Sequence, residues 1–430
     1  VLFQTGNYFH FLRDRLGYFE RDFRANGYVS RVDFGMFGQP YFLYHPQDVQ
    51  AVFQKGRRVH RGALYRLLGG GLFTMETGTA AAGRKAVLQK CFDLQALEPL
   101  ARRILAITWE ALAEAGARGP EPDLLTLTRT ITRRVRLAML LGETHDLGEA
   151  ERLMHSIGFI LEHLDREFHR LLPCPDHWPT PHNLKLRAHI RRARGIIEDH
   201  VRRGDATPHP GLLMSLTRHA GLDPESVVDE AFSLLLAGTE TATSMTIWAL
   251  HFLTLQPELL KLLSTEVRES ANGHSLATKP LEHLPKLHWT TAIVQETLRL
   301  RPPAWAMIRT LEDDLEAVGG RLLPAGSVVW VVPYITHRDR EFWTEPDTFR
   351  PQRFLSQSPT PVSRGSYFPF GAGSHRCIAE RFSLMEAQLV LAALAYRFDL
   401  QTREETLIPP VPGIALLPKR PPQVTFRRTA

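Results

Sequence analysis

Phe370-Gly371-Ala372-Gly373-Ser374-His375-Arg376-Cys377-Ile378-Ala379 decides how this chain is read. A glycine-rich loop runs straight into a helix expected over Ile378 to Phe398, with one thiol at the junction. Glycines let a backbone approach a flat ligand closely. Backbone N–H groups at a helix start stabilise a thiolate, so Cys377 suits either a nucleophile or an axial metal ligand. A lone cysteine is ordinarily a small buried hydrophobe; the spacing F-x-x-G-x-H-x-C-x-A argues against that here. Cys91 and Cys174 are the other two thiols. Three widely spaced cysteines make neither a disulfide framework nor a zinc site.

Working outward, Asp223-Pro224-Glu225 begins a helix with an N-cap, a proline at the first position and an early acid. Its middle is apolar on nearly all sides and should lie buried in the centre of the fold. Within it sits Ala237-Gly238-Thr239-Glu240-Thr241, where an acid and a hydroxyl do not serve stability. Thr241 has a plain structural account, bonding back to the Ala237 carbonyl, and a functional one, handling protons. In Glu296-Thr297-Leu298-Arg299 a carboxylate and a guanidinium share one helical face. Apolar neighbours Val294, Leu298 and Leu300 predict that the pair is buried, where each charge needs the other.

The remainder predicts a mainly α protein with small β-sheets. Gly27 to Tyr44 reads as a hairpin and Asp48 to Phe53 as a short helix. Helical periodicity runs from about Ala80 to Thr310. Gln256-Pro257-Glu258 starts one helix there, and Leu284-Pro285-Lys286 another ending near Arg301. Short strands follow from Ile308 to Val332, then an irregular stretch from Trp343 to Phe370, the last helix and closing strands. Val1 to Arg15 reads as an amphipathic helix, not a signal peptide. With no repeat or linker, residues 1–430 are expected to form one domain. Its parts are a β-rich region at about 27–60, a helical core at about 80–302, and strands, irregular stretch, thiol loop and last helix over 303–430.

The 430 residues are 43% apolar and 23% charged, which excludes collagen-like, coiled-coil and disordered classes. No apolar run nears the ~18 residues of a membrane span. Lys and Arg outnumber Asp and Glu, 52 to 46. The densest basic clusters, Arg133, Arg134 and Arg136, and Arg187, Arg191, Arg192 and Arg194, read as solvated helix faces. A nucleic-acid partner has only this charge behind it and is not expected.

With the thiol loop, the E-x-x-R of Glu296 to Arg299, the A-G-x-E-T of Ala237 to Thr241 and the F-x-P-x-R-F of Phe349-Arg350-Pro351-Gln352-Arg353-Phe354, the sequence resembles the cytochrome P450 family. The four motifs stand in the family's order and separation, and the resemblance covers essentially the whole chain. It implies a haem between the central I helix and the Cys loop with its following L helix. Cys377 would be the axial ligand, a thiolate that favours O–O cleavage. Thr241 and Glu240 would be the catalytic proton-handling pair, with room for O2 beside Ala237 and Gly238. His375 and Arg309 match positions that hold the haem propionates, and Phe370, Gly371 and Ala237 would border the haem. The family's usual W-x-x-x-R of the C helix is here Ala81 and Lys85. The tryptophan donor is missing, and a lysine offers a point charge but no fork, unless Arg84 substitutes. Arg353 would join Glu296 and Arg299 in a structural network that fixes the loop leading to Cys377.

By position, Leu235, Gly238, Ala304, Trp305, Met307, Ile308 and Ile414 would contact a hydrophobic small-molecule substrate. The implied activity is that of a soluble bacterial, cytoplasmic haem b monooxygenase. It would insert one atom of O2 by hydroxylation or epoxidation, in natural-product or secondary metabolism. No flavin-domain signature precedes Ala430, so NAD(P)H-derived electrons would arrive through a separate partner. An acidic ferredoxin, drawn to Arg84, Lys85, Lys90 and Arg376 or Arg381 on the Cys377 side, is the expected donor. Two other readings are a family member that desaturates, couples or uses peroxide, and a haem-binding protein without turnover. The intact Glu240-Thr241 pair argues against peroxide use and against a protein without turnover.

Overall fold

The computed structural model describes residues 6–58, 69–75, 79–119, 121–142, 147–170, 175, 177–204, 211–219, 222–271, 276–358, 362–363, 365–402 and 404–428. Helices α1 (Gly6–Arg13) and α2 (Arg15–Asn26) come first, α2 capped by Asp14, which accepts from the Gly17 N–H at 3.0 Å. The expected hairpin forms as β1 (Val29–Arg31) antiparallel to β2 (Tyr41–Leu43), with Val29 opposite Leu43. Next come α3 (Pro46–Lys55), β3 (Gly56–Arg58), α4 (Thr79–Cys91), α5 (Leu94–Arg118), α6 (Leu124–Leu141), α7 (Leu147–His169), α8 (Pro181–Arg203) and α9 (Leu212–His219). Then follow α10 (Pro224–Leu255), α11 (Pro257–Ala271), α12 (Pro280–His283) and α13 (His288–Leu300). The strands expected after Pro303 are β4 (Met307–Leu311), β5 (Leu315–Ala317), β6 (Arg321–Leu323) and β7 (Val328–Val331). After α14 (Pro333–Thr336) and the irregular stretch comes α15 (Glu380–Arg397). The chain closes with β8 (Phe398–Thr402), β9 (Pro410–Pro412), β10 (Leu416–Pro418) and β11 (Val424–Arg428). Cys174 lies outside the described residues.

Helix α10 is the axis of this mainly helical architecture. Asp223 accepts from the Ser226 N–H at 2.9 Å and Pro224 occupies the first turn, so the helix begins where the cap signal put it. Most of its 32 residues are buried, which matches an apolar surface on all sides. Trp248 Nε1 and Ser244 Oγ both donate to the Leu416 carbonyl, at 2.8 and 2.6 Å, and tie the C-terminal hairpin to it. The largest sheet has the order β1-β2-β7-β4-β3, with β2 and β7 parallel. Among the described residues no helix is long and apolar enough to cross a membrane.

Helix α13 departs from expectation. Leu284-Pro285-Lys286 forms a separate 3-10 turn, and the helix starts at His288. The reason is tertiary: Glu266 of α11 accepts from the N–H groups of Trp289 and Thr290, at 2.6 and 3.0 Å, and caps α13 from another helix.

On α13 the Glu296 carboxylate is fully buried and meets four donors. Arg299 Nε and Nη2 reach it at 2.7 and 2.8 Å, the Arg350 N–H at 2.8 Å and Arg353 Nε at 3.0 Å. Arg299 also donates to the carbonyls of His337, Pro346 and Thr348. Glu345, with a φ of 48°, is held in the left-handed region by this frame, its carbonyl accepting from Arg353. Removing one charge from such a buried set costs about 3–5 kcal/mol, because the others stay buried and unpaired.

Two buried histidines extend the frame. His337 Nε2 accepts from the Phe368 N–H and His251 Nε2 from the Ile408 N–H, both at 3.0 Å. Burial, with Arg299 nearby, pushes His337 down to about 3, and burial pushes His251 down to about 4. Unfolded, both take up protons near 6.5. Their stability contribution is therefore complete above pH 6.5 and is lost as pH falls toward 4 and then 3. Each group should cost about 1.4 kcal/mol per pH unit in that window. Unfolding free energies should be level above about pH 6.5 and fall with this slope between about pH 6 and 5, and His337→Gln should remove about one proton's share of it.

Candidate active site

A cavity of about 890 Å³ opens beside α10. The helix contributes Leu234, Ala237, Gly238, Thr241, Ala242 and Met245, spaced by three and four as one helical face must be. The thiol loop contributes Phe370, Gly371, His375 and Cys377, and the stretch after α13 contributes Ala304, Met307, Ile308 and Arg309.

The loop is held by the Cys377 N–H donating to Phe370 O at 2.9 Å and the Gly371 N–H to Phe368 O at 3.0 Å. Gly373 is needed there: its φ is +64°, and a Cβ would stand 2.5 Å from the Phe53 carbonyl oxygen. Cys377 is accessible from the cavity yet deep within the protein. Burial pushes its thiol up, opposed by the Ala379 N–H and, more weakly, by Arg136 and Lys85. The expected stabilisation by backbone N–H is present, but desolvation outweighs it. The helix itself starts only at Glu380, later than expected.

Thr241 donates to Ala237 O at 2.9 Å, with Gly238 O at 3.3 Å. The hydroxyl thus makes its local bond and borders the cavity as well. Glu240, next in the helix, points elsewhere; it is buried and accepts from Arg129 Nη2 of α6 at 3.1 Å. Gly238 has a second role, since a Cβ there would lie 2.7 Å from Arg136 Nε.

Arg309 is buried, its Nη1 donates to Ile308 O at 2.8 Å, and its Nε has no hydrogen-bond partner among the described residues. Burial pushes it down to about 10, with no carboxylate among the described residues to compensate. Lys85 reaches the same cavity and donates to Ser374 O at 2.7 Å. A buried cation lacking a counter-ion beside an accessible thiol fits a flat group that carries carboxylates, such as the expected haem.

Other placements differ from expectation. Leu235 is fully buried and absent from the cavity wall. It lies six residues from Thr241, about 120° around the helix from that hydroxyl, and Leu234, seven residues from Thr241, takes the inward place. Trp305 is turned into an aromatic cluster with Phe19 and Phe168, its Nε1 donating to Gly413 O at 3.0 Å. Ile414 also lies off the wall; it packs on the main core and its N–H donates to Asp165. Arg84 neither substitutes near the loop nor joins a free basic patch. It bonds to Glu230 at 3.2 Å and to Ser226 at 3.1 Å. Arg136 and Arg194 are not solvated faces. Arg136 is buried against Glu386 at 2.7 Å and Gly238 O at 3.2 Å, and Arg194 pairs with Asp229 at 2.5 Å. Wall residues that no motif marked include Leu72, Phe73, Thr74, Met75, Met139, Glu230, Ser233 and Phe382. Leu234 and Met245 were recoverable by counting seven back and four forward from Thr241.

The family model for cytochrome P450 matches residues 8–426. Cyclooctat-9-en-7-ol 5-monooxygenase of Streptomyces melanosporofaciens is 28% identical, over 91% of this chain and 85% of that protein. Cyclooctatin synthase of the same organism is 31% identical, over 87% and 84%. Pentalenene oxygenase of Streptomyces avermitilis is 26% identical, over 92% and 89%. Among solved structures, the cytochrome P450DA heme domain superposes with a TM-score of 0.86 at 19% identity, covering 97% of this chain and 94% of the other. Retinoic acid-bound cyanobacterial CYP120A1 gives 0.85 at 21% identity, covering 99% and 97%.

Arg309→Gln should act with opposite signs in the two forms of the protein. Removing the unpaired charge should raise the unfolding midpoint of haem-free protein. Haem loss to a scavenging apoprotein should speed up about tenfold or more, the worth of one charge-assisted hydrogen bond.

Proposed function

The chain belongs to the cytochrome P450 family of monooxygenases, and from that premise we propose that it oxidises a hydrophobic cyclic terpenoid in bacterial secondary metabolism. The observation that carries the reading is that Cys377 and Thr241 open onto one cavity whose substrate-side wall is largely apolar. Haem b bound with Cys377 as its thiolate ligand would supply the chemistry that activates O2 and transfers one oxygen atom to a C–H or C=C bond. Arg309, Lys85 and His375 would hold its propionates, and Phe370, Gly371 and Ala237 would border its faces. The whole chain acts as one domain around it.

This chain's residues then manage protons, water and shape. Thr241 spends its hydrogen on the Ala237 carbonyl and keeps its lone pairs for a donor in the cavity. Glu240, one residue away and paired with partly exposed Arg129, would be the acid–base group that relays protons from solvent toward the hydroxyl. Leu234, Met245, Ala304 and Ile308 exclude water and present apolar surface to the substrate. The relatives whose printed names concern cyclooctatin and pentalenene support a compact polycyclic skeleton for the substrate. Electrons derived from NAD(P)H would come from a ferredoxin in the same cytoplasm. With Arg84 committed to Glu230 and Arg376 paired with Glu380 at 2.5 and 2.7 Å, the docking charges reduce to Lys90 and Arg381, which are exposed.

Reduced protein under carbon monoxide should show the red-shifted Soret band of a thiolate ligand, and Cys377→Ala should lose it; a variant that kept the band would refute the assignment. Cyclic diterpene alcohols should shift the ferric spin state where fatty acids and macrolides do not. Reduction by ferredoxin should slow as salt rises and slow further in Arg381→Glu. A rate indifferent to both would exclude ferredoxin docking at this patch.

A further inference from the structure

Three consecutive glycines, Gly69-Gly70-Gly71, lead into the wall residues Leu72 to Met75 and belong to none of the family motifs. Their backbone lies directly on α10. The Gly70 N–H donates to Asp229 Oδ2 at 2.6 Å and the Leu72 N–H to Glu230 Oε1 at 2.8 Å. A Cβ on Gly69 would stand 2.2 Å from Asp229 Oδ1, and one on Gly71 would stand 2.6 Å from Ser233 Oγ and 3.0 Å from the Asp229 carbonyl oxygen. Gly69 also has a φ of +72°. Only side-chain-free backbone can come this close. Thr74 locks the turn from within, its hydroxyl donating to Gly69 O at 2.6 Å and Gly71 O at 2.9 Å.

The two acids are buried, and each also takes a cation from a different helix. Arg84 of α4 reaches Glu230 at 3.2 Å and Gly70 O at 3.3 Å. Arg194 of α8 reaches Asp229 at 2.5 Å. Four elements therefore meet on two adjacent carboxylates: α4, α8, α10 and the 69–75 segment. The shorter of these bonds, from Gly70, Leu72 and Arg194, are of the strong charge-assisted kind, and buried ones are hard to replace with water.

We propose that Asp229 and Glu230 are positioning residues that set substrate shape selectivity. They hold the 69–75 segment against α10 as a fixed wall, so that the gap between Leu72 to Met75 and the inward face at Leu234, Ala237 and Thr241 limits the bulk of the ligand. The proposal rests on the reading of this cavity as the substrate site. It concerns neither the haem nor the proton pair, and neither acid touches the reacting atoms.

The test uses haem-loaded wild type, Glu230→Ala, and the milder Glu230→Gln, which keeps an acceptor for Leu72 but loses the charge facing Arg84. Dissociation constants are read from the spin-state shift for cyclic alcohols of increasing carbon number, and hydrogen exchange is followed at Gly70 and Leu72. In Glu230→Ala the ratio of affinities between the largest and smallest ligands should change about tenfold, and both amides should exchange about tenfold faster or more, with Glu230→Gln between. The carbon monoxide band should stay. Unchanged selectivity and unchanged exchange in a variant that keeps the band would overturn the proposal. Glu230 itself borders the cavity whereas Arg84 does not, so Arg84→Gln is run beside Glu230→Ala, with the same expected and contrary results, and stands alone if the latter does not fold. Wild type lacking the thiolate band would instead overturn the haem reading, while exchange at the two amides would still decide the wall.

Discussion

The buried Glu296 carboxylate is the constraint on which the rest of the molecule depends. Its four donors come from α13, from the Arg350 backbone and from Arg353, and Arg299 spends its remaining hydrogens on three carbonyls of the irregular stretch. In a low-dielectric interior a fully satisfied network is stiff, because any displacement leaves a buried charge unpaired. That stiffness passes along the chain. His337, whose carbonyl receives Arg299, accepts from Phe368, and the Phe368 carbonyl receives Gly371. The position of Cys377 is thus set by an ion cluster many residues away from it.

Two of the cavity's walls differ in kind. One is a single face of α10, fixed by helical geometry once Asp223 and Pro224 set where the helix starts. The other is irregular backbone that must be pinned group by group: the thiol loop through Gly373, and the 69–75 segment through Asp229 and Glu230. Charge is distributed accordingly. Arg136 is paired with Glu386 and bonded to the Gly238 carbonyl, and Arg194 is paired with Asp229, whereas Arg309 has no carboxylate partner among the described residues.

Much of the site could be read from the chain because its signals are local. A glycine, a histidine and a cysteine at set spacing, or a carboxylate three residues from an arginine, specify backbone conformation and pairing within a turn or two. The cap of α10 is local in the same sense. Leu235 shows the limit of loose positional reasoning, since a one-residue shift on a helix turns the side chain about 100° away. Trp305 and Ile414 failed for another reason. Each found a hydrogen-bond partner, Gly413 and Asp165, that is far away in sequence.

By itself the sequence determined the mainly helical class with small sheets, the central helix and its start, the thiol loop and the Glu296–Arg299 pair. All of these follow from contacts within a few residues. Only the tertiary structure decided that α13 is capped from α11 by Glu266 and that Arg84, Arg136 and Arg194 serve inside the molecule. Only it decided that three glycines form a wall against two acids. Those outcomes depend on which unlike charges and unpaired backbone groups are brought together from distant parts of the chain. Burial then makes every such pairing obligatory, and no local pattern encodes it.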